Sequence, residues 1–107
     1  MTMHRSEAAI QADILVAITA LPSAMFWRSN SGVATRSDGK PIRFGVPGQP
    51  DILGAYRGQA YGIEVKSPTG RQRKEQAIWQ RNFERAGGRY ILARSVDDAL
   101  AGLRVSS

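Results

Sequence analysis

With 107 residues, no cysteine and one histidine, the chain has room for a single hydrophobic core and no means of building disulfides, a Cys/His zinc site or His-assisted nucleophilic chemistry. Its formal charge of +6, from 15 Lys and Arg against 9 Asp and Glu, favours a polyanionic partner or simply keeps the protein in solution, and arginine suits phosphate in particular. No apolar run approaches bilayer-spanning length and the N-terminus lacks a signal-peptide core, so one domain over residues 1–107 is expected in the cytoplasm, away from membranes.

Residues 1–5, with the lone His4, read as a frayed tail. Ser6 is a candidate N-cap, Glu7 suits a first helical turn, and Ile10, Ile14, Ile18 and Leu21 recur at helical spacing, predicting a helix over Ser6–Ala20 that stops before Pro22. Glu7, Ile10, Gln11 and Ile14 stand at i, i+3, i+4 and i+7, so Glu7 and Gln11 either extend the apolar stripe toward a polar interior feature or simply complement the helix dipole and edge the stripe.

Ala24–Asn30 is aromatic-rich and reads as a strand, with Phe26 and Arg28 on one side and Met25, Trp27 and Ser29 on the other. From Ser31 to Pro41 the chain turns small and polar, a loop or irregular hairpin tip carrying Arg36 and Lys40, with Arg43 just beyond on a short strand, Ile42–Val46. Charge here serves either solvation or a phosphate backbone. The Gly- and Pro-rich run from Gly45 to Pro50 delivers the chain to Asp51 in a restricted pose.

Two apolar runs separated by Arg57-Gly58-Gln59 then predict a hairpin. An even turn centred between Gly58 and Gln59 sets Asp51 opposite Lys66 and Leu53 opposite Glu64, so Asp51, Glu64 and Lys66 share one face. An odd turn sends Asp51 to the other face. Pro-Asp and Glu-x-Lys of this kind fit a turn and a solvated strand face, or a hard-metal phosphodiesterase site. In the second reading oxygen ligands hold Mg²⁺ or Mn²⁺ and an ammonium offsets charge on the attacked phosphate.

A helix over Gln72–Ala86, closed by Gly87-Gly88, carries Gln76, Trp79 and Phe83 at i, i+3 and i+7. Arg71, Arg73 and Lys74 crowd its start, which opposes the dipole by roughly a few tenths of a kcal/mol each unless an anion binds there. Arg89–Arg94 is an apolar strand, parallel to the Glu64 strand if the helix is a crossover, and Ser95 caps a last helix with Asp97 and Asp98 in its first turn. The class is α/β, a mixed sheet flanked by helices in the order α-β-β-β-α-β-α.

Taken together, the residues resemble the restriction-endonuclease-like superfamily with its PD-(D/E)xK signature, and within it the virus-type replication-repair nuclease (VRR-NUC) domains. The resemblance runs over most of the chain: Glu7 with Gln11, Trp27-Arg28-Ser29-Asn30-Ser31-Gly32, Gly48-Gln49-Pro50-Asp51, Ile63-Glu64-Val65-Lys66-Ser67, Gln76, and the closing Gly-Gly, strand and Ser-Val-Asp-Asp-Ala-Leu helix. It implies a restriction-endonuclease-like core in which Asp51, Glu64 and the backbone carbonyl of Val65 ligate Mg²⁺ or Mn²⁺. Lys66 would orient the attacking water or stabilise the transition state, Glu7 would reach the metal directly or through water, and Gln76 would support the site from its helix. Arg28 and Asn30 join Arg36, Lys40, Arg43, Arg71, Arg73 and Lys74 as expected nucleic-acid contacts. The implied activity is endonucleolytic cleavage of branched DNA such as four-way (Holliday) junctions by a homodimer. The alternatives are a non-catalytic basic nucleic-acid-binding module, whose binding would ignore divalent metal, and a basic subunit of a larger assembly.

Overall fold

The computed structural model describes residues 5–29 and 31–105. The expectations for His4 and for Asn30 lie outside them. Arg5, assigned to the tail, donates to Asp13 Oδ2 at 2.6 Å on the helix that follows.

That helix, α1 (Glu7–Thr19), begins as its sequence dictates, with Ser6 Oγ accepting from the Ala9 N–H at 3.1 Å. Its buried residues are Ile10, Gln11, Ile14 and Ile18, the anticipated stripe. Strands β1 (Ala24–Arg28), β2 (Gly32–Thr35), β3 (Pro41–Phe44), β4 (Ile52–Tyr56) and β5 (Gln59–Val65) follow, then α2 (Lys74–Arg85), β6 (Arg89–Ala93) and α3 (Val96–Gly102). Five strands, not three, separate the first two helices. The short strand expected at Ile42–Val46 is β3, and it pairs antiparallel with β2, which forms within the stretch read as a loop or irregular hairpin tip; the two make a sheet of their own.

The main sheet is mixed, in the order β1-β4-β5-β6, antiparallel except for β5 with β6. The parallel pair is the crossover expected through α2. Along β5, Tyr61, Ile63 and Val65 join Ile52, Tyr56, Ile91 and Ala93 in a core closed by α1 and by Ala99 and Leu103 at α3. Alternation sends Gly62 and Glu64 to the other face, where Trp79 of α2 lies over Gly62 with its ring tilted against that of Tyr90, centroids 6.2 Å apart. No helix among the described residues is long and apolar enough to cross a membrane.

The β4–β5 turn sits one residue earlier than anticipated. Tyr56 pairs with Gln59, leaving Arg57 and Gly58 as a two-residue turn, with φ of 51° and 80°. Positive φ at both central positions is the type I′ pattern, whose twist suits a hairpin. The whole register therefore moves by two residues: Leu53 faces Gly62, and Asp51, one step beyond the Ile52–Ile63 pair, comes opposite Glu64 rather than Lys66. A shift of two preserves parity, so the shared face survives.

Candidate functional site

The open end of this hairpin, away from its turn, gathers the charged residues. Asp51 is fixed by its backbone and its side chain. Its carbonyl accepts from the Ser29 N–H at 2.6 Å, and Oδ2 accepts from the Val65 N–H at 2.8 Å. The preceding loop is pinned against α2 at Gly48, whose φ is +82° and where a Cβ would stand 2.2 Å from the Glu75 carbonyl oxygen, so no other residue fits. Pro50 is fully buried behind it.

Glu64 is 3% exposed, and its Oε2 receives no hydrogen bond. Burial, then a hydrogen bond to Asp51 and the charge of Asp51, lift its carboxyl from the ordinary value to about 8, while Lys66 pulls the other way. Two carboxyls thus stand close together at a buried position, and the raised value favours the protonated form of Glu64. Lys66, also buried, places Nζ 3.9 Å from Glu64 Oε1, an ion pair too long for a hydrogen bond. Its backbone N–H donates to the Ala93 carbonyl at 3.0 Å, which extends the β5–β6 pairing to the lysine.

The chain leaving Lys66 is held from two sides. Arg94 Nη1 donates to the carbonyls of Ser67 and Gly70 at 2.6 and 2.7 Å. Glu7, exposed at the start of α1, accepts from the Ser67 N–H at 3.4 Å through Oε1. Glu7 thus comes to the site from the opposite layer of the fold, bonded to Ser67, and its charge adds to those raising the Glu64 carboxyl. Among the described residues no three His, Cys, Asp or Glu side chains group closely enough to hold a metal ion.

Gln76 is buried at the start of α2, and its Oε1 accepts from the Arg73 N–H at 2.8 Å. That contact caps its own helix, and it explains why α2 starts at Lys74 instead of Gln72. Of the anticipated nucleic-acid contacts, Arg28, Arg36, Lys40, Arg43, Arg71, Arg73 and Lys74 are all exposed. Arg36 is engaged with Asp38 at 3.3 Å at the tip of the β2–β3 hairpin, where the Lys40 N–H also donates to Asp38. Arg43 and Arg73 line one cleft of about 490 Å³ between that hairpin and the start of α2, together with Phe44 and Glu75. Arg71 lines a surface pocket with Pro68, Thr69, Gly70 and Arg94.

Arg94 is the residue that sequence reasoning missed. Its position at the end of an apolar strand gave no sign that it would clasp a loop 24 and 27 residues earlier. No family model matches this chain, and no curated protein or solved structure does either.

Proposed function

We propose that the chain is a divalent-metal-dependent endodeoxyribonuclease with a restriction-endonuclease-like core of the PD-(D/E)xK, VRR-NUC kind. The observation that carries this reading is the buried, unpartnered Oε2 of Glu64 beside the carboxylate of Asp51. A buried carboxylate oxygen without a donor is costly, and a second carboxylate beside it makes the cost greater unless a cation is shared between them. The all-oxygen set fits Mg²⁺ or Mn²⁺, which tolerate few protein ligands because water and substrate phosphate complete their shells.

Asp51 and Glu64 would hold the ion, with the Val65 carbonyl as the third ligand that the resemblance implies. When bound, such an ion polarises a phosphoryl oxygen and makes a water more acidic. The chain's own residues supply the rest. The Val65 N–H fixes the Asp51 carboxylate, Lys66 offers its ammonium to charge building on the phosphate, and Glu7 with Arg94 fixes the loop that follows the lysine. Gln76 supports the site by holding the start of α2, against which the Gly48 loop rests.

Branched DNA such as a four-way junction is the proposed substrate, and a homodimer the proposed assembly. Met25 and Trp27 on edge strand β1, with Val33, Ile42 and Phe44 on the β2–β3 hairpin, leave apolar surface exposed that a second copy would cover. The non-catalytic binding module draws on the exposed Arg28, Arg43, Arg71, Arg73 and Lys74, which would position a nucleic-acid backbone without a metal. The two readings part in a cleavage assay with Mn²⁺ across branched, flapped and linear DNAs. The nuclease cuts at least one of them, and Lys66→Ala lowers the rate by about 10²–10³-fold, the usual effect of removing one transition-state donor. Absence of cutting, or a Lys66→Ala variant as fast as wild type, would sink the proposal.

A further inference from the structure

The turn end of the β4–β5 hairpin holds a second feature, remote from the carboxylates. Arg57 in the turn, Arg89 at the start of β6 and Arg104 just after α3 line a pocket of about 360 Å³ with Tyr56 and Gln59, and no carboxylate lines it. None of the three arginines is in a salt bridge with a described residue. The Arg57 guanidinium instead rests 5.3 Å from the centroid of the Tyr56 ring, which is itself buried.

Two of these arginines occupy backbone positions that disfavour them. Arg57 takes the first central place of a type I′ turn at φ 51°, where Asn, Asp or Gly is the ordinary choice. Arg104 is left-handed too, at φ 59°, in the position after the α3 C-cap. Its N–H donates to the Ala101 carbonyl and that of Val105 to the Leu100 carbonyl, the paired bonds that glycine usually completes. The same chain ends α2 in the usual way: the N–H groups of Gly87, at φ 98°, and Gly88 donate to the carbonyls of Glu84 and Phe83. A cation near a helix C-terminus is favourable, but any residue of the last turn would satisfy that preference without adopting a left-handed backbone. Two strained arginines converging with a third on an acid-free pocket point to a use for the charge itself.

We propose that Arg57, Arg89 and Arg104 bind phosphates of a nucleic-acid backbone, gripping one arm of the substrate at the far end of the sheet. Six residue steps along β4 put this grip roughly 20 Å from Asp51. The substrate class rests on the nuclease reading, whereas the anion chemistry does not. Planar guanidiniums bind phosphate oxygens bidentately, and three of them without a salt bridge to any described residue form a site for a polyanion, although Glu84 lines the neighbouring groove with Arg89 and Arg104.

The test measures binding of labelled duplex and four-way-junction DNA in EDTA, with thermal melting of each protein. The Arg57→Asn/Arg104→Gly double variant should bind about tenfold or more weakly, and its log–log salt slope should fall by roughly 0.9 for each phosphate that is no longer neutralised. Its Tm should nonetheless hold or rise by about 4–8 °C per kcal/mol of strain relieved. Arg89→Gln, free of any backbone effect, should weaken DNA binding alone. Unchanged affinity and slope would overturn the inference, as would a fall in Tm, which would make the arginines structural. Pyrophosphate as a competitor distinguishes a small-phosphate site: if the double variant loses pyrophosphate binding but keeps DNA binding, the backbone grip is wrong. Arginine-dependent binding in EDTA without cleavage in Mn²⁺ would support the grip and sink the nuclease. Cleavage and binding both indifferent to the three arginines would do the reverse.

Discussion

The two ends of one hairpin, β4 with β5, carry opposite kinds of unfavourable free energy. At the open end, Asp51 and Glu64 bring two carboxyls together in a buried place, one oxygen without a donor. At the turn end, Arg57 and Arg104 hold exposed positive charge on left-handed backbone. The first is electrostatic and relieved by a cation; the second combines conformational strain with like-charge crowding, and only its charge component is relieved by an anion. The difference teaches where to look for ligands: a fold this small has little stability to spare, so local costs at the two ends of the hairpin mark candidate sites for a compensating charge. Nucleic acid with its bound divalent ions offers both charges at once.

Glu64→Gln gives the largest expected separation of the two ends. Because the folded chain holds the Glu64 proton more tightly than the unfolded chain does, metal-free wild type loses stability as pH rises from 4.5 toward about 8. Glu64→Gln removes that decline, so the wild-type deficit relative to the variant should grow to about a few kcal/mol across the window. Paired melts at pH 5 and pH 8 in EDTA measure it, and a constant difference would show that Glu64 keeps its charge at both. Next in size, Arg94→Met takes away two charged hydrogen bonds to the Ser67 and Gly70 carbonyls and should cost about 1–3 kcal/mol in denaturant melts. That loss should speed amide exchange of the Ser67–Gly70 loop while leaving the hairpin turn unchanged. The smallest effect is at the other end: Arg57→Asn alone should gain roughly 0.5–1 kcal/mol, and a loss instead would mean that the Tyr56 contact outweighs the strain.

Local signals in the sequence carry much of this architecture. Ser6 and Ser95 cap the helices they precede, the isoleucine stripe of α1 is buried, and the parallel β5–β6 pair follows from an intervening helix. The shared face of Asp51 and Glu64 is legible through parity alone, and it holds even though the turn lies elsewhere. The turn itself is misleading in sequence because Arg57 is a poor residue for the conformation that it adopts; propensity points away from a site where charge is retained. Other features depend on partners distant in sequence. Gln76 reads as a residue facing the site, yet its oxygen caps α2 because Arg73 has no acceptor with which to do so. Of the β2–β3 hairpin, β3 and the tip are legible but β2 is not, because Val33, Ile42 and Phe44 stay exposed and give no buried face to pattern.

Calorimetric titration with Mn²⁺ near pH 7, run in two buffers of different ionisation heat, tests the central claim most directly. Wild type should bind the ion and release a proton as Glu64 ionises, while Asp51→Asn and Glu64→Gln, both folded, should give no binding heat. A wild type that takes up no Mn²⁺, or an Asp51→Asn variant that binds as well as wild type, would contradict a metal centre at the open end of the hairpin.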